Sequence, residues 1–433
     1  MKNIIAMTMC SLVLLIGCKS ENRNNQLNGR QPANVLQNSP PTQVISNQQR
    51  DALVNNEQIT YKIENPVVSV SSYANISDDL VLAPVSSERT LLTYKMSGVN
   101  GKETTATTLV FVPKGTVPKE GWSTVVWAHG TTGVADKCAP SKQGLKGTEV
   151  FIAMLLAAGY VVVAPDYEGL GSPGNHPYLN LKSEAYSITD AVVATHTYLT
   201  RNGGKLSKKW LSIGHSQGGH AVLGAAQYAS RANLDYKGTI AIAPASNLEK
   251  ILIDKTKLAQ GQLPVMQIPI YASLDSFTSL IAAGTQGHHN TISYGEIFKS
   301  HLADVAPIAE RECVAEIMAE MSSKMTQHAT LNLNSLAGYG RLQDNFFKNL
   351  KIRQFIDKDL QPLTVKVDTP IILYHGGVDT IIPIAATDLL YANATKLGTR
   401  VSYKKSMIWD HFTVYTNNHL VFLQDVKTLM PIQ

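Results

Sequence analysis

Apolar and polar positions change rhythm several times along the chain, and each change predicts a different element. Residues 91–96 and 105–112 carry strand-like apolar runs on either side of Asn100-Gly101, a pair that tolerates the positive φ of a tight turn, so they predict a β-hairpin. Beyond it, short β-branched runs at 124–128, 160–164, 210–213 and 238–243 alternate with helical spacing at 147–158, 183–200 and 217–231. Strands apolar at nearly every position must be buried on both faces, which a parallel sheet covered by helices provides. The alternation stops at residue 244 and returns as strand 370–374, helix 384–396, strand 400–404 and helix 412–429.

Residues 244–363 are helical in pattern, for example over 302–325, and contain no strand run of comparable quality. They read as a helical cap inserted after the sixth strand. Its most apolar stretch, 263–283, contains Pro264, Pro269 and Asp275, which argue against a membrane span. The predicted fold class is therefore α/β: a mostly parallel sheet with helices on both faces, built from 65–243 and 364–433 with the cap 244–363 between them.

The chain opens differently. Lys2 precedes an apolar run over 4–16 that ends in Leu15-Ile16-Gly17-Cys18, too short to span a bilayer, so 1–18 is predicted to be a cleaved signal peptide. Those four residues resemble the lipobox of bacterial lipoproteins, which implies lipid on Cys18 and attachment to the cell envelope. Lys19, rather than Asp, points to the outer membrane. An ordinary secretory signal with an incidental cysteine is the alternative. Residues 19–64, rich in Asn, Gln and Ser, predict a disordered tether.

Composition narrows the classes further. The 433 residues are 44% hydrophobic and 16% charged, enough for a large core, and a formal charge of +5 is too small for a broad nucleic-acid footprint. Of the four cysteines, Cys10 falls in the discarded segment and Cys18 would carry lipid, which leaves Cys138 and Cys313 as an expected disulfide in an oxidising compartment. No HExxH or spaced Cys/His set suggests a metal, and no cofactor is expected. The run from Gly169 to Gly174 has the letters of a dinucleotide fingerprint, but Pro173 and Pro177 prevent the helix that would hold a pyrophosphate.

Candidate chemistry centres on Gly214-His215-Ser216-Gln217-Gly218, a G-x-S-x-G run between a predicted strand and a predicted helix. A sharp turn there would present the Ser216 hydroxyl as a nucleophile. Such a serine needs a base and an acid that follow it in chain order. His411 comes directly after the last predicted strand, and Asp379 lies in the turn after the strand before that, so these two are chosen. His419, read as two turns into the final helix, is the runner-up base. His215 reads as a packed residue, and His129 as part of the oxyanion loop. His375 is within a strand, and His288, His289, His301 and His328 fall in the cap. Asp368 lies at the wrong end of its strand, Asp388 inside a helix, and Asp410 faces solvent. Backbone N–H groups of Gln217 and Thr131 are the candidate oxyanion donors, with Thr132 close enough to replace Thr131.

With these residues placed, the sequence resembles the secretory lipase family. The resemblance rests on 128–133 (Ala-His-Gly-Thr-Thr-Gly), 138–141, 165–171, His176-Pro177-Tyr178, 214–219 and 376–383, and spans the chain from about residue 65 onward. It implies the α/β-hydrolase fold and a cofactor-free serine esterase or lipase with a helical cap, its triad on Ser216, Asp379 and His411. The lipid anchor and the Asn-rich tether depart from a freely secreted digestive lipase. Ester hydrolysis is the leading expectation, with a lipid or small-molecule ester as substrate. Leu274, Phe277, Leu280, Ile281 and Met318 are the cap residues suited to an acyl-binding wall. A peptidase or amidase on the same triad and a non-catalytic surface-binding lipoprotein are the alternatives.

Overall fold

The computed structural model describes residues 62–432. The signal segment 1–18 with Cys18, and residues 19–61 of the expected tether, lie outside the described residues.

Nine strands form one sheet: β1 (Val67–Ser72), β2 (Ser86–Ser97), β3 (Glu103–Pro113), β4 (Trp122–Ala128), β5 (Tyr160–Pro165), β6 (Leu206–His215), β7 (Asp235–Ile242), β8 (Ile371–Gly376) and β9 (Val401–Ser406). Their order is β1-β2-β3-β5-β4-β6-β7-β8-β9. The first three are joined antiparallel and β3 meets β5 antiparallel, while every pair from β5 to β9 is parallel. The sequence count of strands before the cap omitted β1. It is short and mostly exposed, Val68 and Val70 included, and with it counted the cap follows the seventh strand, not the sixth.

Helices α1 (Glu149–Ala157), α2 (Leu181–Arg201), α3 (Gln217–Tyr228), α7 (Ile384–Lys396) and α8 (His419–Leu429) cover the sheet. Period-two geometry explains why the central strands are apolar throughout. Val126 and Ala128 of β4 point into a core shared with Ala185, Ala221 and Leu390, from α2, α3 and α7. Their neighbours Val125 and Trp127 point into the opposite core with Phe151 and Phe422, from α1 and α8. Each large side chain buried this way contributes roughly 1.5–3 kcal/mol.

The cap is built around a further core, which Val134, Tyr178, Leu179, Ile382 and Ala386 of the sheet domain also enter. It contains α4 (Leu248–Ala259), α5 (Pro264–Thr285) and α6 (Val314–Leu331), and Leu274, Leu280, Ile281, Ile317 and Met321 all fill its interior. The helix expected over 302–325 is split into Ser300–Val305, a 3-10 turn Ala306–Glu310 and α6, because Pro307 supplies no N–H and Cys313 is extended. Asp275 on α5 is buried but paired with Arg341, which also stacks over Tyr271 at 3.9 Å. No helix among the described residues is long and apolar enough to cross a membrane. Cys138 and Cys313, 175 residues apart, form a disulfide that ties the segment after β4 to the start of α6.

Candidate active site

Strand β6 passes into α3 through Ser216 alone, whose φ of 60° and ψ of −118° are strained for a residue with a Cβ. Close backbone packing holds that turn. A Cβ on Gly214 would lie 2.3 Å from the Gly218 carbonyl oxygen, and one on Gly218 would lie 2.0 Å from that of Ala128. Only glycine at both positions lets β4, β6 and α3 approach so closely. The Ser216 N–H donates to Ile242 O at 2.8 Å, fastening the turn to β7 as well.

Two further loops leave the same edge of the sheet. Asp379 follows β8, and its Oδ1 accepts the N–H groups of Ile381 (2.8 Å) and Ile382 (2.7 Å). Its Oδ2 accepts from His411 Nδ1 at 2.7 Å. Burial acts to raise the Asp379 carboxyl, but hydrogen bonds from His375 and His411 outweigh it and hold the group well below the usual carboxylate range. His411, in the loop after β9, is 4% exposed, and its Nε2 lies 3.0 Å from Ser216 Oγ. With Nδ1–H committed to Asp379, Nε2 is free to accept the serine proton. The structure thus brings Ser216, His411 and Asp379 into one hydrogen-bonded chain.

The oxyanion candidates flank the serine. Gln217 is the first residue of α3. On the other side, a Cβ on Gly130 would lie 3.7 Å from Ser216 Cβ, so the His129-Gly130-Thr131 loop passes beside the nucleophile. Thr131 Oγ1 is hydrogen-bonded to Tyr178 OH at 3.0 Å. The Thr132 carbonyl accepts from the N–H of Val314 in the cap at 2.9 Å, next to the Cys138–Cys313 disulfide. His129 stacks on Tyr167, and burial pushes its imidazole down to about 4.

Other residues sit elsewhere than the sequence suggested. His419 starts α8 rather than lying two turns into it, because the helix expected over 412–429 breaks after Thr416 at Asn417-Asn418, two weak helix formers. Its half-buried ring packs against Phe151 and Tyr415, while it is His411 that lies within hydrogen-bond distance of the serine. Asp410 does not simply face solvent: its carboxylate accepts the N–H groups of Phe412 and Thr413 and so shapes the loop that carries His411. His288 and His289 line a cavity of about 240 Å³ with Val99, Tyr178 and Phe355, whose wall contains none of the three chain residues. His301 and His328 pack against Tyr339. Among the cap residues singled out for an acyl wall, Leu274, Leu280 and Ile281 are buried in the cap core, while Phe277 and Met318 are half-buried.

Two features escaped sequence reasoning. His215 is packed, as expected, but its Nε2–H also donates to the main-chain carbonyl of His411 at 2.7 Å, and burial pushes the imidazole down to about 3, so the ring stays neutral. The Gln217 side chain points away from the serine into a buried polar cluster around Glu184, which nothing in the periodicity announced. No cluster of His, Cys, Asp and Glu suited to a metal ion occurs among the described residues.

A parallel sheet that presents a strained serine on a strand–helix turn, with acid and base on the next two loops, has the arrangement of the α/β-hydrolases. The sequence profile of the secretory lipase family matches residues 144–421, and the chain belongs to that family of carboxylic ester hydrolases. Among solved structures, it is similar to Candida antarctica lipase A in its closed state, with a TM-score of 0.63 and 15% identity over 87% of this chain and 86% of that one. It is also similar to the rice cell wall degrading esterase LipA from Xanthomonas oryzae in a ligand-bound form, with a TM-score of 0.62 and 19% identity over 85% and 98% of the two chains. At these identities the likeness is one of fold. Comparison with curated protein sequences finds no match.

Proposed function

We propose that the protein hydrolyses carboxylic esters through an acyl-enzyme on Ser216, with His411 as general base and then general acid, and Asp379 fixing the imidazole tautomer. One observation carries the reading: Ser216 Oγ, His411 Nε2 and Nδ1, and Asp379 Oδ2 are linked at 3.0 and 2.7 Å on a strained turn. In the first half-reaction Ser216 Oγ attacks the ester carbonyl while His411 takes its proton, and that proton is returned to the departing alcohol. Water then repeats the steps against the acyl-enzyme. Negative charge on the carbonyl oxygen develops between the N–H groups of Gln217 and Thr131.

Testing requires an ester panel of graded acyl length, aminoacyl anilides as the amide arm, and Ser216→Ala. The expected result is ester turnover that falls by about 10⁴-fold or more in the variant, and a serine-reactive phosphonate that labels Ser216 alone. Turnover surviving Ser216→Ala would refute the reading; hydrolysis of anilides in preference to esters would turn it toward a peptidase.

The cap is proposed to wall the acyl group, with Phe277 and Met318 as the half-buried candidates, because the chain enters it beside the serine, where Ala245 N–H donates to Ser216 O at 3.3 Å. Attachment through lipid on Cys18, in the bacterial cell envelope and at the outer membrane, is also part of the proposal. It is supported by Leu15-Ile16-Gly17-Cys18 after a short apolar run and by Lys19. Unchanged processing and membrane fractionation of Cys18→Ser would refute it.

A further inference from the structure

Beneath the serine turn lies a polar cluster that the catalytic chain does not use. Glu184 of α2, His220 and Gln217 of α3, and His176 of the loop before α2 are each 0% or 1% exposed. Glu184 Oε2 lies 2.5 Å from His220 Nδ1, and His220 Nε2 lies 2.7 Å from the carbonyl oxygen of Leu360, at the end of the cap. Both ring nitrogens therefore face oxygen acceptors. An ionised carboxylate beside a neutral imidazole would leave one of these contacts without a proton, so the pair holds one proton more than that and is neutral as a unit.

The other carboxylate oxygen faces the serine turn. Glu184 Oε1 accepts from the Gln217 side-chain amide at 2.8 Å and from the Leu179 N–H at 3.1 Å. The same amide donates to His176 Nε2 at 2.7 Å, which leaves the His176 proton on Nδ1, directed at Glu168 O at 2.9 Å. Leu179 adjoins Tyr178, whose hydroxyl holds Thr131 Oγ1. One buried oxygen is thus connected to both residues assigned to the oxyanion site: to Gln217 directly, and to Thr131 through Leu179 and Tyr178.

We infer that Glu184, balanced by His220, is a positioning residue that sets the spacing of the two oxyanion donors and couples it to the cap through Leu360. Glu184 touches no reacting atom; it acts through Gln217 and Tyr178. Its electrostatics agree. Burial acts to raise the carboxyl, but the charge of His220, together with the flanking imidazoles of His176 and His220, prevails and holds it down to about 2. Displacing an oxyanion donor by an ångström costs on the order of 10²-fold in turnover, whereas substrate binding in the ground state depends little on it.

This inference rests on the ester-hydrolase reading, so wild type and Ser216→Ala are assayed first on p-nitrophenyl butyrate; their result judges that reading alone. Glu184→Ala is then expected to lower kcat by about 100-fold with KM within twofold, and to weaken a reversible trifluoromethyl ketone, whose hemiketal oxygen occupies the oxyanion site, by a similar factor. Glu184→Gln restores the acceptor for Gln217 and Leu179 and can donate to His220, and should return kcat to within about fivefold of wild type. If Glu184→Ala does not fold, Gln217→Met decides instead, since it keeps the backbone N–H and removes only the amide that anchors it. A folded Glu184→Ala or Gln217→Met with kcat within threefold of wild type, or a loss confined to KM, would overturn the inference.

Discussion

The serine turn and the cap are built on opposite terms. At the turn, position is fixed by backbone against backbone: Gly214 and Gly218 leave no room for a Cβ, Ser216 is bonded to β7, and neighbouring strands fix the loops of Asp379 and His411. The cap is held by side chains, such as Leu274, Ile281, Ile317 and Met321, in an interior that Val134, Tyr178, Leu179, Ile382 and Ala386 of the sheet domain also enter. Its attachments include the disulfide, the Val314–Thr132, His220–Leu360 and Asn175–Ala283 hydrogen bonds and the Lys137–Glu312 ion pair. The first arrangement tolerates loss of a catalytic side chain but not an added methyl group. The second tolerates added surface but depends on its attachments.

The widest separation between geometry and stability is expected at His411. His411→Ala should lower kcat by about 10⁴-fold while the melting temperature moves little, because the loop is shaped by Asp410 and by the sheet rather than by the imidazole. Thermal denaturation run beside the kinetics checks this; a collapse of both would show that the base also holds its loop.

Next comes the disulfide. Cys138→Ser with Cys313→Ser reopens a loop of 175 residues, for which chain entropy sets a stabilisation of about 5 kcal/mol, a figure that measured bridges often fall below. Chemical denaturation should show the lost stability. Turnover should also drop, since the bridge sits beside Thr132 in the proposed oxyanion loop. Full activity in the doubly substituted protein would mean that the Val314–Thr132 bond suffices.

A paired glycine test sharpens the contrast directly. Gly218→Ala places a methyl 2.0 Å from a backbone oxygen and should cost about 3 kcal/mol or more, whereas Gly295→Ala, on a cap helix where a Cβ meets nothing within 4 Å, should stay within about 0.5 kcal/mol. Equal costs would erase the distinction.

Acid provides the smallest and most graded effect. Glu184 and Asp379 both have folded carboxyls below their unfolded values of about 4, so their stabilisation is complete above that pH and is lost as pH falls through the folded values, about 2 for Glu184. These two groups should therefore lower the melting temperature as pH falls below about 4.5, against the opposite contribution of carboxyls that burial raises, such as Asp166 at about 6, and Glu184→Gln should flatten part of that decline. An unchanged slope in the variant would mean that Glu184 contributes nothing to acid sensitivity.

What could be read from the sequence follows the same division. The hydrogen-bonded set of Ser216, Asp379 and His411 could be picked out because the apolar runs of β6 and β8 lead to the first two, and chain order pointed to the loop after β9, a strand whose own residues are mostly polar. Glu184 and His220 were not. Helix α2 buries Ser183, Glu184, Ser187, Thr189 and Asp190 between the sheet and its other neighbours, so it lacks the polar face that separates surface from core. The available signal was His220, one helical turn beyond the serine on a helix with no exposed residue in its first ten. The cap was legible as helices but not in its breaks: Pro307, which supplies no N–H, marks one of them in the sequence, whereas the extended backbone at Cys313 goes with its bridge to Cys138.

The hydrogen bond from His215 to the main chain of His411 bears on how this enzyme can be altered. Position 215 precedes the serine in the G-x-S-x-G turn and supplies none of the three side chains hydrogen-bonded there. Here the His215 side chain braces the proposed general base from 196 residues away. A library randomised at 215 alone would sample a displaced base along with each new residue, so most variants would lose rate for a reason unrelated to substrate fit. Productive exchanges at 215 would come paired with changes in the 406–412 loop, and the two segments should be diversified together.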